Sequence, residues 1–169
     1  IINILKLTDK KKGVCEIAND NAEGQVIVSG DKERVKSLQS ILKEKKIKSI
    51  PLKVSAPFHC SLMKPAANIM SDKIASTKFI TPLFNIVNNV TARSEIKPEN
   101  IKELLVKQIC STVKWRESII NMSKEGVKNY IEIGPGKVLT GMVKRTIKDA
   151  KCFSINSITD IKNLTHEFK

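Results

Sequence analysis

A chain of 169 residues, 41% apolar and 28% charged, is long enough to bury a core as one domain or as two small ones. Its 30 Lys and Arg against 17 Asp and Glu leave a net charge of +13, a surface that attracts anions, but aromatics make up only 4% and no helical stretch concentrates Arg, which disfavours a dedicated nucleic-acid binder. No run approaches the roughly 18 apolar residues of a membrane span, and the four cysteines (Cys15, Cys60, Cys110, Cys152) form no C-x-x-C pair, so reduced thiols in a cytoplasmic protein are expected.

In chain order, Ile1, Ile2, Ile4, Leu5 and Leu7 read as the tail of a helix, ended by a solvated run from Thr8 to Gly13. Val14 to Ala18 reads as a strand, Asn19 to Gly24 as a turn and Gln25 to Ser29 as the returning strand. Asp31 is a candidate N-cap for a helix to about Lys46, with Val35, Leu38, Ile41 and Leu42 on one apolar stripe. Ile47 to Val54 alternates apolar and polar and predicts another strand. This order is that of a ferredoxin-like unit without its first strand.

Beyond it the pattern changes to strands alternating with helices, which implies a parallel sheet covered on both faces. Leu62, Ala66, Ile69, Met70 and Ile74 recur at helical spacing up to about Thr77, and Pro65 suits a first turn. Phe84 to Val87 predicts a short strand. A helix opens at Pro98 and carries Ile101, Leu104, Leu105, Gln108 and Ile109 on one side. Trp115 to Lys124 predicts a helix closed by Gly126. Then follow a strand from Lys128 to Ile133, a sharp Gly134-Pro135-Gly136 loop, a helix from Val138 to Lys148, a strand from Cys152 to Ile155 and a helix from Asp160 to Glu167.

One of only two histidines, His59, falls in the short loop between the alternating segment and the helical one. A helix N-terminus beside it disfavours the imidazolium, so a neutral ring able to take a proton is expected there. The blander reading is a loop histidine that caps a helix. Cys60 adjoins it, but neighbouring side chains usually diverge, which argues against a Cys-His nucleophile. Gly134-Pro135-Gly136-Lys137 before a helix invites a phosphate site, yet it lacks the Walker spacing and reads as a structural turn. Asn88 and Asn89 read as loop amides, and His166 as a solvated tail residue.

Ala56-Pro57-Phe58-His59-Cys60-Ser61-Leu62-Met63, with Pro65-Ala66 after it, resembles the histidine segment of malonyl-CoA:acyl-carrier-protein transacylases. Four further stretches resemble that family in the same order: Asn19 to Gly30 (N-x-N-x-P-x-Q), Val87-Asn88-Asn89-Val90 (V-x-N-V), Gln108 with Val113 and Trp115, and Glu132-Ile133-Gly134-Pro135-Gly136-Lys137-Val138-Leu139 (E-x-G-P-G). The resemblance covers essentially the whole chain. It departs from the family at Glu23, where a proline is usual, and at Ser111-Thr112, where Asn-Pro is usual. The second departure is expected to loosen the loop after Gln108.

The resemblance implies an α/β fold: residues 1–54 as the incomplete ferredoxin-like subdomain, and residues 55–169 as part of an α/β-hydrolase-like parallel-sheet subdomain. It implies transfer of malonyl from CoA to the phosphopantetheine thiol of acyl carrier protein, in fatty acid biosynthesis, by a Ser-His mechanism with no cofactor. His59 would be the catalytic base, a main-chain carbonyl at Gln108 would orient it, and Asn19, Asn21 and Gln25 would line the acyl and CoA cleft. Malonyl-CoA and acyl carrier protein are the implied partners, with neither nucleic acid nor membrane, and a monomer is expected at full length. The family's nucleophile lies in G-x-S-x-G, which occurs nowhere in these 169 residues, and its malonyl-binding arginine is missing with it. A C-terminal portion of such an enzyme, inactive alone, is therefore expected. The alternative is a non-catalytic remnant or split-gene product that at most binds carrier protein.

Overall fold

In the computed structural model, which describes residues 4–5 and 12–167, a hairpin pairs β1 (Cys15–Ala22) antiparallel with β2 (Gln25–Gly30). Ile4 and Leu5 are helical, and the rest of the expected helix tail and most of the run after it lie outside the described residues. The expected turn from Asn19 is shorter than predicted: Asn19 to Ala22 continue β1, and only Glu23 and Gly24 separate the strands. Two register shifts leave Ala18 and Asn21 opposite no partner in β2, and both are buried. Gly24 takes φ +73°, which a two-residue hairpin turn needs.

Helix α1 (Lys32–Glu44) packs on β2 with Leu38 and Leu42 buried. Asp31 sits at its N-cap but does not cap it; the Asp31 carboxylate accepts the Val14 N–H at 2.6 Å and ties the hairpin to the helix start. The predicted strand from Ile47 to Val54 does not form. The segment is irregular and exposed, with Ile50, Leu52 and Val54 facing solvent. Alternating polarity makes a strand only where a neighbouring strand takes its N–H and C=O groups, and no described strand lies there.

A 3₁₀ turn (Ser61–Met63) leads into α2 (Lys64–Ser76), which packs on α3 (Pro98–Lys107). The predicted stripe of α2 is off by part of a turn: Ala67 is buried, while Ile69 is 67% exposed. Instead of a strand from Phe84, β3 (Ile86–Val87) pairs antiparallel with β4 (Ser94–Glu95), a ribbon too short to leave a periodic signal. Helix α4 (Trp115–Lys124) forms as expected and ends on Gly126 at φ +94°. There the Gly126 N–H reaches Ser123 O and the Val127 N–H reaches Met122 O.

The parallel pairing expected for the second part is present as β5 (Asn129–Ile133) beside β6 (Lys151–Ile155), in register from Asn129↔Lys151 to Ile133↔Ile155. Between them runs α5 (Val138–Thr146), and α6 (Ile158–Glu167) follows β6. Helices α4 and α5 both pack on β1. A parallel bridge joins Asn19 to Val113, through the Asp20 N–H to Val113 O at 2.9 Å and the Val113 N–H to Ala18 O at 2.8 Å. The fold class is α/β with small parallel and antiparallel sheets.

Candidate functional site

Gln108 closes α3, where the last carbonyls of a helix lack intrahelical partners. One of these orphans has a partner in His59: the Nδ1 of the ring lies 3.0 Å from Gln108 O. A carbonyl only accepts, so Nδ1 carries the hydrogen, and in the neutral ring Nε2 then has the lone pair. The two residues stand 49 positions apart in sequence. The Gln108 side chain takes no part; its Oε1 accepts from Asn89 Nδ2 at 3.4 Å.

His59 holds φ +59°, the left-handed region, which costs a residue with a β-carbon about 1–3 kcal/mol. Its neighbours hold it there. On one side Cys60, fully buried, donates its thiol hydrogen to Pro57 O at 3.1 Å. On the other, Glu16 of β1 accepts both the Ser61 N–H at 2.9 Å and the Ser61 hydroxyl at 2.6 Å. His59 itself is half-buried.

The loop after Gln108 is pinned rather than loosened. Thr112, in place of the family's proline, donates its hydroxyl to Ile17 O at 2.6 Å, and Val113 is bridged to β1. Sequence reasoning missed Glu16 and Thr112, because each acts through a contact far away in the chain. It missed Asp20 as well, whose carboxylate takes Arg116 Nε and Nη2, the latter at 2.7 Å, and fastens β1 to α4. That ion pair is also what holds the Arg116 guanidinium pKa above its ordinary value.

Asn19, Asn21 and Gln25 all lie on the hairpin. Asn21 is buried, Asn19 bridges to Val113 through its backbone, and Gln25 Oε1 accepts from Arg145 Nη2 at 2.6 Å, facing α5 rather than His59. Asn88 accepts the Val90 N–H at 2.7 Å and shapes its own loop. The thiol of Cys110 is pushed up, mainly by burial, which keeps it protonated and poor as a nucleophile. The glycine loop and helix start are held by neighbouring side chains: the Gly136 N–H goes to Asn156, and Glu132 accepts the N–H groups of Leu139 and Thr140 at the start of α5. His166 is exposed. Among the described residues no cluster of side chains could hold a metal ion, and no helix is long and apolar enough to cross a membrane. Two shallow grooves, one between α1 and Ile47-Lys48-Ser49 and one between α2 and α3, do not reach His59.

No protein-family model matches the chain. Among curated relatives, the malonyl CoA-acyl carrier protein transacylase of Haemophilus influenzae is 37% identical over 169 residues, covering 99% of this chain and 54% of the relative. That of Staphylococcus aureus is 39% identical over 94% of this chain and 52% of its own length. The crystal structure of acyl-carrier-protein-S-malonyltransferase from Bartonella henselae superposes with a TM-score of 0.93 at 36% identity, over 98% of this chain and 53% of that one. A malonyl-transacylase solved in complex with a type II PKS acyl-carrier protein gives 0.92 at 32% identity, over 99% and 55%. The chain thus spans about half the length of the curated relatives it matches.

Proposed function

The chain belongs to the malonyl CoA-acyl carrier protein transacylase family, spanning about half the length of the members it matches, and from that premise we propose that it supplies the proton-handling half of a malonyl transfer site. The observation that carries this reading is the Nδ1–H of His59 on Gln108 O at 3.0 Å, which reserves Nε2 as an acceptor. In the reaction, Nε2 takes the proton of a serine hydroxyl as its oxygen bonds to the malonyl carbonyl carbon. The C–S bond to CoA then breaks, and the departing sulfur receives that proton. In the second half the phosphopantetheine thiol of acyl carrier protein loses its proton to Nε2 and attacks the acyl-serine, whose oxygen leaves and is reprotonated. The imidazolium formed on the way is stabilised by the α3 carbonyl, at the negative end of a helix.

The serine and the malonyl-binding arginine belong, in this proposal, to polypeptide outside these 169 residues, which hold no G-x-S-x-G. Asn19, Asn21 and Gln25 would line the acyl and CoA cleft, through amide donors and acceptors suited to pantetheine. The division into residues 1–54 and 55–169, a cytoplasmic setting, the absence of a resident cofactor and a monomer at full length belong to the same reading. The missing motif also favours a second one: a non-catalytic module that binds carrier protein without turnover.

Reconstitution separates the two. The polypeptide is mixed or co-expressed with the complementary portion of the Haemophilus influenzae relative, and malonyl transfer from malonyl-CoA to phosphopantetheinylated carrier protein is followed. Transfer by the mixture, absent from either part alone, is the expected result. A co-purifying complex that binds carrier protein but moves no malonyl would establish the second reading instead.

A further inference from the structure

We propose that Glu16 is a positioning residue for His59, acting through Ser61. Ser61 is two residues beyond His59 and opens the 3₁₀ turn that leads into α2, where the first N–H groups lack partners. Cys60, at the N-cap, gives no side-chain cap, since its thiol faces Pro57 O. The cap comes from 45 residues away: one Glu16 oxygen takes the Ser61 N–H, the other the Ser61 hydroxyl. Two acceptors on one rigid carboxylate fix the position and rotation of the backbone that follows the imidazole.

The same strand holds the imidazole's partner. Directly after Glu16, Ile17 O accepts the Thr112 hydroxyl and Ala18 O accepts the Val113 N–H. Three consecutive residues of β1 therefore grip the segment bearing His59 and the segment following Gln108. The 3.0 Å from Nδ1 to Gln108 O is the distance between two loops referenced to one strand. Because His59 sits in a costly left-handed conformation, loss of the Glu16 grip lets it relax to negative φ, withdraws Nδ1–H from the carbonyl, and frees the ring to exchange tautomers.

This proposal rests on the reading of His59 as the proton acceptor, and its test is read on the ring itself, apart from turnover. The chain has two histidines, so an imidazole ¹⁵N spectrum of the full chain contains two rings, and His166 serves as an exposed internal reference. In its neutral form the His59 ring is expected to carry the hydrogen on Nδ1. In Glu16→Ala it should move to the mixture shown by His166, and Ser61→Ala, which removes one of the two donors, should fall between. Glu16→Gln should restore the native spectrum, because its amide oxygen accepts the Ser61 N–H while its NH₂ donates to the Ser61 oxygen. In the reconstituted enzyme Glu16→Ala should lower kcat by about 10- to 100-fold with KM for malonyl-CoA unchanged. A native His59 spectrum in folded Glu16→Ala overturns the proposal and leaves the reading of His59 intact. A wild-type ring already in the mixed form overturns both. Should Glu16→Ala fail to fold, Ser61→Ala decides: a native His59 spectrum in that variant overturns the proposal, and an intermediate one supports it.

Discussion

At the scale of single residues, the site depends on a main-chain atom. The acceptor for His59 Nδ1–H is the carbonyl of Gln108, not its amide, so Gln108→Ala in the reconstituted enzyme should leave malonyl transfer within about fivefold of wild type, the side chain losing only a long contact to Asn89. Initial rates with saturating carrier protein measure this, and a loss as large as that of His59→Ala would place the role in the amide instead. Part of this residue-level picture was legible in the sequence: His59 falls in a loop between differently patterned segments, and Gln108 comes at the end of a helical stripe. Glu16 and Thr112 were not legible. Their partners lie 45 and 95 residues away, and neither a carboxylate in a strand nor a threonine in a loop carries a local mark of what it will touch.

Among the elements, α4 and the β5–β6 pairing follow from the sequence pattern, while the segment from Ile47 and the end of β1 depend on a pairing that local pattern does not reveal. Helix α4 has its terminal glycine within twelve residues, from Trp115 to Gly126, whereas Ile47 to Val54 has the polarity of a strand and no described strand beside it. Residue type alone makes Asn19 to Ala22 look like a turn, because register shifts are invisible without the pairing. The hairpin itself is sterically tight: a β-carbon on Gly30 would lie 2.1 Å from Val14 O and 2.7 Å from Val14 C. Gly30→Ala is therefore expected to cost about 1–3 kcal/mol or more in urea unfolding, since backbone rather than a flexible side chain is in the way, and an unchanged midpoint would contradict the pairing.

Carboxylates also start several helices. Glu132, Glu95 and Asp160 each accept backbone N–H groups near a helix N-terminus, and each pKa is held below its ordinary value, for Glu132 chiefly by the Thr140 N–H. A carboxylate lowered in the folded state stabilises above its unfolded value, here 4.5, and loses that contribution as pH falls through the folded value. Melting wild type and Glu132→Ala side by side should give a gap that is full at pH 7 and closes below pH 4.5. A gap independent of pH would remove the charge from the account of α5.

At the scale of the molecule, two features stand out from the fold itself. Leu83, Phe84 and Ile133 are each at least 80% exposed, apolar side chains of the kind a protein normally covers. Periodicity reports that such residues are apolar and is silent on what lies over them, which is why the stripe of α2 was misplaced toward Ile69. The other feature is the charge of +13. If an acidic carrier protein is the partner, its association with the reconstituted enzyme should slow by roughly tenfold between about 0.05 M and 0.5 M salt, in stopped-flow measurements, with dissociation little changed. A salt-independent rate would assign the charge to solvation alone.

The central claim is that one imidazole, held by a main-chain oxygen, moves the proton in each half of the transfer. The most direct test compares malonyl transfer by reconstituted enzyme carrying His59 or His59→Ala, at equal complex concentration. The account predicts a loss of about 10²–10⁴-fold in kcat for the alanine variant, with the complex still assembled. Turnover within a few-fold of wild type would contradict it.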